Sequence, residues 1–142
     1  MFRTLLVLAA GIGVGAGAMK AAHHDHADGG EKVRELSATD IKEKLDGKDA
    51  RATVVEVTIE PGQAGVPHRH PGPAFVYVVE GEWETGIDDQ PTKVVKAGET
   101  FYEQGGSLHR VSKNPGKVKT RLIAVVLHPR DAKQVAVPEA KK

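Results

Sequence analysis

An all-β domain, either a sandwich or a closed barrel, is what the sequence predicts, and three observations carry it. Beyond Gly47 the apolar residues recur with period two, the alternation of a half-buried strand. Short runs rich in Val, Ile, Thr, Phe and Tyr follow one another at 52–59, 74–80, 93–96, 100–103, 108–112 and 119–127. Turn signals separate them: Pro61-Gly62, Pro71-Gly72-Pro73, Asp88-Asp89, Ala97-Gly98, Gly105-Gly106 and Asn114-Pro115-Gly116. Many short strands without a strong helix make a sandwich or barrel. The chain has 142 residues, enough for one such domain and not for several.

Ahead of the strands the chain divides into three pieces. Residues 1–18 read as a secretory signal peptide, with Arg3 as the positive start, a short apolar stretch at 5–14, and Ala16-Gly17-Ala18 as the cleavage signal. That stretch is shorter than the roughly 20 residues a spanning helix needs, so stable membrane insertion is not expected after cleavage. The destination is periplasmic or secreted. Residues 19–35 have almost nothing to bury and read as a flexible His-rich tail. Within it His23-His24-Asp25-His26 offers imidazoles to a transition metal, although a solvated leader is the plainer reading. A short helix is expected over 37–45, capped by Ser37 or Thr39 and stopped by Gly47. The domain itself is assigned to 36–142.

Composition narrows the chemistry. With 20 Lys+Arg against 19 Asp+Glu there is no basic field for a nucleic acid. The absence of cysteine removes disulfides, thiolate metal sites and thiol nucleophiles. Histidine is what remains. His68 and His70 are two apart, so on a strand both imidazoles leave one face, as two ligands of one metal must. A third histidine, His109, closes a second Gly-rich stretch that begins at Gly98.

These two stretches resemble the signature motifs of the cupin superfamily, G-x5-H-x-H-x(3,4)-E-x6-G and G-x5-P-x-G-x2-H-x3-N. Gly62, His68, His70 and Gly81 fall at the spacing of the first, and Gly98, Gly106 and His109 at that of the second. The resemblance implies a single double-stranded β-helix, the jelly-roll barrel of the small Cupin_2 kind, with His68, His70 and His109 binding one divalent metal. Fe, Mn, Zn, Ni and Cu all remain open as that metal. Three departures stand out: Ala74 replaces the motif's metal-binding Glu, Gln104 its Pro, and Lys113 its Asn, with Asn114 one place beyond. Three neutral ligands alone would leave a divalent ion its full charge and favour anionic oxygen chelators.

Glu103 is the remaining candidate. Alternation from Phe101 turns it inward, to orient a histidine, accept a proton as a catalytic group, or stand in for the missing Glu, whereas Tyr102 should face out. Phe75, Tyr77 and Trp83 read as core or as a homodimer face, His128 as a structural strand-end residue, and Arg69 as an outer ion-pair partner. The partner is expected to be a small-molecule substrate or ligand. Two functions follow: a metal-dependent oxygenase, or lyase or isomerase working through an enolate, on a small oxygenated molecule; or a non-catalytic metal or small-ligand binding protein of the cell envelope.

Overall fold

The computed structural model describes residues 25–140. Residues 1–18, read as a signal peptide, lie outside this range, as do 19–24 of the tail. Eleven strands follow in order: β1 (Asp25–Asp28), β2 (Glu31–Leu45), β3 (Lys48–Ile59), β4 (His68–Arg69), β5 (Ala74–Glu80), β6 (Glu82–Ile87), β7 (Lys93–Lys96), β8 (Thr100–Glu103), β9 (Leu108–Lys113), β10 (Thr120–Pro129) and β11 (Val137–Pro138). They form two antiparallel sheets, one ordered β1-β2-β3-β10-β5-β8 and the other β11-β4-β9-β6-β7. The all-β prediction holds, and the described residues contain no helix.

The inward side chains alternate along each strand. Every second residue of β10 is buried from Thr120 through Leu122, Ala124 and Val126 to His128. Val55, Ile59, Val76, Val78, Trp83, Val95, Leu122 and Ala124 form the core between the sheets. Trp83 anchors it, with its indole edge-on to Phe101 at 5.8 Å between ring centres. Phe75 and Tyr77, by contrast, stand half-exposed on the outer face, and Phe75 packs beside Tyr102. The core reading therefore holds for Trp83 alone of the three.

The helix expected over 37–45 is instead the second half of β2. Its residues pair with β3 as far as Leu45 opposite Lys48, and Asp46-Gly47 is the hairpin turn between them. Both turn residues have positive φ, 49° and 76°, as a two-residue hairpin with matched twist requires. The glycine read as a helix stop is a hairpin signal, and pairing to β3 overrides the helical preference of Lys42, Glu43 and Lys44. The tail boundary is corrected too. Residues 25–28 form β1 and 31–35 open β2, so the domain begins before residue 36. Polar burial is the reason: Glu31 is 5% exposed, held by a hydroxyl that no hydrophobic pattern reveals.

Asn114, one place beyond the motif's asparagine, is fully buried and takes over a structural task. Its Nδ2 donates to the carbonyls of Ile59 and Val118 at 2.9 and 2.8 Å, and its Oδ1 accepts from Gly116 N at 2.9 Å. Asn114→Ala leaves those backbone groups unpaired, so a loss of about 3 kcal/mol is expected. Urea unfolding checks it, and divalent-metal affinity should stay within twofold of the parent.

Candidate metal centre

The three motif histidines converge. His68 on β4 is the register partner of His109 on β9, which sets their rings 4.9 Å apart. His70, just past β4 and before Pro71, brings its ring to 4.8 Å from that of His68. One ligand atom from each of the three lies within 4.8 Å of the others. Both sheets contribute, because Glu103 on β8 enters from the opposite sheet and is 3% exposed. Its Oε2 lies 3.3 Å from His70 Nε2 and 3.3 Å from His109 Nδ1. Phe101 and Glu103 face in and Tyr102, 55% exposed, faces out, as alternation predicts.

The second nitrogen of each ring is anchored to the protein. His68 Nδ1 bonds the Val66 carbonyl at 2.9 Å, and His70 Nδ1 bonds the Val135 carbonyl. A carbonyl only accepts, so in the neutral rings both Nδ1 atoms carry the proton and both Nε2 atoms present lone pairs. Those two Nε2 atoms are 3.2 Å apart. His109 Nε2 meets the Thr85 hydroxyl at 3.0 Å, leaving Nδ1 turned toward Glu103. Glu103 Oε2 is buried between His70 Nε2 and His109 Nδ1. Three imidazoles and a carboxylate oxygen thus crowd one buried spot, an arrangement that suits a cation.

The spacing suits a metal ion. Donors each about 2.1 Å from one ion lie roughly 3.0 to 3.4 Å apart for bond angles between about 90° and 109°. The donor separations of 3.2, 3.3 and 3.3 Å fall in that interval, and the three histidine ligand atoms together spread over at most 4.8 Å, so a small inward turn of one ring completes the set. The residues present fit a divalent metal, and the donor set of imidazole nitrogens with one carboxylate suits Zn, Mn, Fe, Ni or Cu.

The electrostatics follow from burial and from Glu103. Burial pushes His109 down to about 4, only partly offset by the Glu103 charge. Burial would lower His70 as well, but hydrogen bonding to Glu103 and its charge outweigh that and leave His70 above its usual range. Burial would raise Glu103, yet His70 and the neighbouring imidazoles bring its carboxyl below the ordinary value. In the metal-free protein these shifts place the stability maximum near pH 6.5. Below it, the unfolded chain protonates His109 while the folded chain resists until about 4, a loss of up to about 3 kcal/mol. At lower pH still, the contribution of Glu103 disappears as its depressed carboxyl titrates. Above the maximum, the contribution of His70 is lost as pH rises through its raised value. Denaturation in chelator from pH 4 to 9 tests this, and stability still climbing above pH 8 would contradict it.

Around the cluster lies what the sequence hid. A cavity of about 420 Å³ is lined by Val33, Glu35, Thr53, Val55, His128 and Val135, among others. It shares Val135 with the cluster, whose carbonyl holds His70. His128 stays outside the ligand group: its Nε2 bonds the Thr53 hydroxyl at 2.9 Å and its Nδ1 the Pro129 carbonyl at 2.8 Å. Arg69 faces away, 3.1 Å from Glu139 and 2.8 Å from the Gly106 carbonyl. Thr85 and the carbonyls of Val66 and Val135 orient the rings, and nothing in the local sequence marks them for that role.

A small two-sheet barrel with three inward histidines on and just beside its motif strands defines a β-barrel protein with a candidate metal centre. The cupin-domain family model, Cupin_2, matches residues 55–126, and the chain belongs to that family. Among solved structures it is similar to the polyketide cyclase RemF from Streptomyces resistomycificus, with 24% identity, TM-score 0.57, and coverage of 80% of this chain and 73% of that one. It is also similar to an oxalate oxidase in complex with the substrate analogue glycolate, with 27% identity, TM-score 0.55, and coverage of 72% and 52%. Oxalate decarboxylase from Bacillus subtilis shares the fold at 16% identity and TM-score 0.60, over 82% of this chain. The chain spans about half the length of the oxidase and 30% of the decarboxylase. No curated protein matches the chain in sequence.

Proposed function

We propose that this protein is an exported, metal-dependent enzyme acting on a small oxygenated molecule, with His68, His70, His109 and Glu103 holding one divalent ion. One observation carries the reading: Glu103 on β8 is the register partner of Ala74 on β5. Cross-strand partners present their side chains on the same face. The carboxylate that the family motif places at position 74 is therefore supplied from the adjoining strand, and the ligand set regains its negative member. Ala74, fully buried and small, leaves room for it.

A bound divalent ion supplies Lewis acidity toward an oxygen-chelating molecule. The chain supplies the rest. The carbonyls of Val66 and Val135 and the Thr85 hydroxyl fix the three rings. Glu103 reaches both His70 and His109 and is placed to hold a proton exchanged with a bound molecule. Export is supported by Arg3, the apolar stretch at 5–14 and Ala16-Gly17-Ala18. The oxalate oxidase, oxalate decarboxylase and polyketide cyclase among the structural neighbours support a small oxygenated substrate.

A ligand swap tests the reading. Glu103→Ala should weaken divalent-metal binding at least 10-fold. Adding Ala74→Glu to it should recover most of the loss, because the new carboxylate enters from across the strand pair. Failure of the double variant to recover, with the fold intact, removes the ligand role of Glu103. Metal-loaded parent should then turn over some member of a panel of small diketones, hydroxyacids and thiols, by oxygen uptake or product analysis. Tight metal binding without turnover favours a binding protein of the cell envelope.

A further inference from the structure

A hydroxyl and an imidazole that the metal group does not use lie at the floor of the cavity beside it. Thr53 and His128 line that cavity and are 1% and 3% exposed. His128 Nδ1 meets the Pro129 carbonyl at 2.8 Å, so in the neutral ring that nitrogen carries the proton and Nε2 accepts. Nε2 lies 2.9 Å from Thr53 Oγ1, which therefore donates its one proton to the ring. The lone pairs left on Thr53 Oγ1 make it an acceptor with no proton to give. The walls are largely apolar, with Val33, Val55 and Val135 among them, and none of the charged lining residues Glu35, Arg51 and Lys133 is buried. Arg51 is tied to Asp40 at 2.7 Å.

One row of register partners runs from this floor to the metal group. Thr53 on β3 is opposite Val126 on β10, Val126 is opposite Ala74 on β5, and Ala74 is opposite Glu103 on β8. All four are buried on the inner side of one sheet. Three strand steps of about 4.8 Å set Thr53 roughly 14 Å from Glu103 along the sheet. A two-carbon diacid is too short to span them. The cavity, at about 420 Å³, falls within the range of roughly 300 to 1,000 Å³ typical of small-molecule sites. We propose that it holds the body of the substrate, an uncharged ring-sized group whose hydroxyl or N–H donates to Thr53 Oγ1, with His128 as the positioning residue that keeps this oxygen an acceptor. A ligand without a donor would bury the acceptor unpaired, which is costly, so such ligands are disfavoured. The inference rests on the metal-dependent reading above and deepens it, by making the substrate longer and less charged than oxalate.

Phenol and its methyl ether anisole, which lacks the donor, are the probes, titrated by NMR into the full chain in chelator so that neither can ligate a metal. The parent should bind phenol about fivefold more tightly than anisole, the worth of one hydrogen bond, with shifts at Thr53 and Val55. Thr53→Val keeps the shape and removes the oxygen, so it should erase that preference, while Thr53→Ser should keep it. His128→Leu frees the Thr53 proton, so anisole should gain on phenol, and an unchanged ratio there overturns the role of His128. Phenol that leaves Thr53 and Val55 unshifted, or a preference unchanged in Thr53→Val, overturns the proposal. Should Thr53→Val fail to fold, Ala136→Phe decides: it fills the cavity and should abolish phenol binding, and undiminished binding overturns the proposal. A parent that binds no Zn²⁺ in a separate titration overturns the metal reading, and with it the assignment of the cavity to a substrate; Zn²⁺ binding without phenol at Thr53 overturns this proposal only.

Discussion

Replacing His70 with alanine should lower divalent-metal affinity by more than about 100-fold, beyond the 10- to 100-fold range typical of residues that only support a ligand. His70 Nε2 lies 3.2 Å from His68 Nε2 and 3.3 Å from Glu103 Oε2, so its loss opens the middle of the donor group. A metal that binds only the folded chain stabilises it by about 2.7 kcal/mol at a free concentration about 100 times Kd. For a domain of this size that is a Tm increment of roughly 10 °C or more. The alanine variant should lose the increment while its metal-free Tm moves far less. Thermal unfolding with and without Zn²⁺ measures both quantities, and an intact increment would remove His70 from the ligand set.

Glu103→Gln is expected to have the next largest effect. The substitution keeps the volume and removes the charge beside His70 and His109, so divalent affinity should fall at least 10-fold. A second readout separates this from a packing defect. Glu103 is what holds His70 above its usual range against the effect of burial. In the glutamine variant burial is opposed by the Val135 carbonyl and the Glu31 charge without the Glu103 carboxylate, and the His70 titration followed by NMR in the metal-free protein should fall. An unmoved His70 would show that the carboxylate does not act on that ring.

How much of this was legible in the sequence follows from which contacts are local. The facing of His68 with His70, and of Phe101 with Glu103, rests on the two-residue period of a strand, which a sequence displays directly. Gly62, Gly81, Gly98 and Gly106, at their motif spacing, all take positive φ in the structure, so the turns that deliver the histidines were readable as well. The pairing of Ala74 with Glu103 was not, because β5 meets β8 across intervening strands and no local pattern fixes that register. Without it, Glu103 as a stand-in for the motif's Glu is one reading among three.

The N-terminal part was misread for a different reason. Residues 37–45 carry good helix formers, and only the Asp46-Gly47 dipeptide argued for a hairpin. Glu31 looked like tail because its burial is secured by Ser112 and by the space above Gly65, not by an apolar neighbour in sequence. Hydrophobic patterning finds strands that bury hydrocarbon and misses those that bury a hydrogen-bonded acid.

X-ray absorption at the zinc edge of the full chain, without an added tag and loaded with one equivalent of Zn²⁺, tests the central claim most directly. The account predicts a first shell of three imidazole nitrogens and at least one oxygen at about 2.0 to 2.1 Å, with one nitrogen lost in His109→Ala. A shell with fewer than three imidazoles, or one unchanged in that variant, would contradict it.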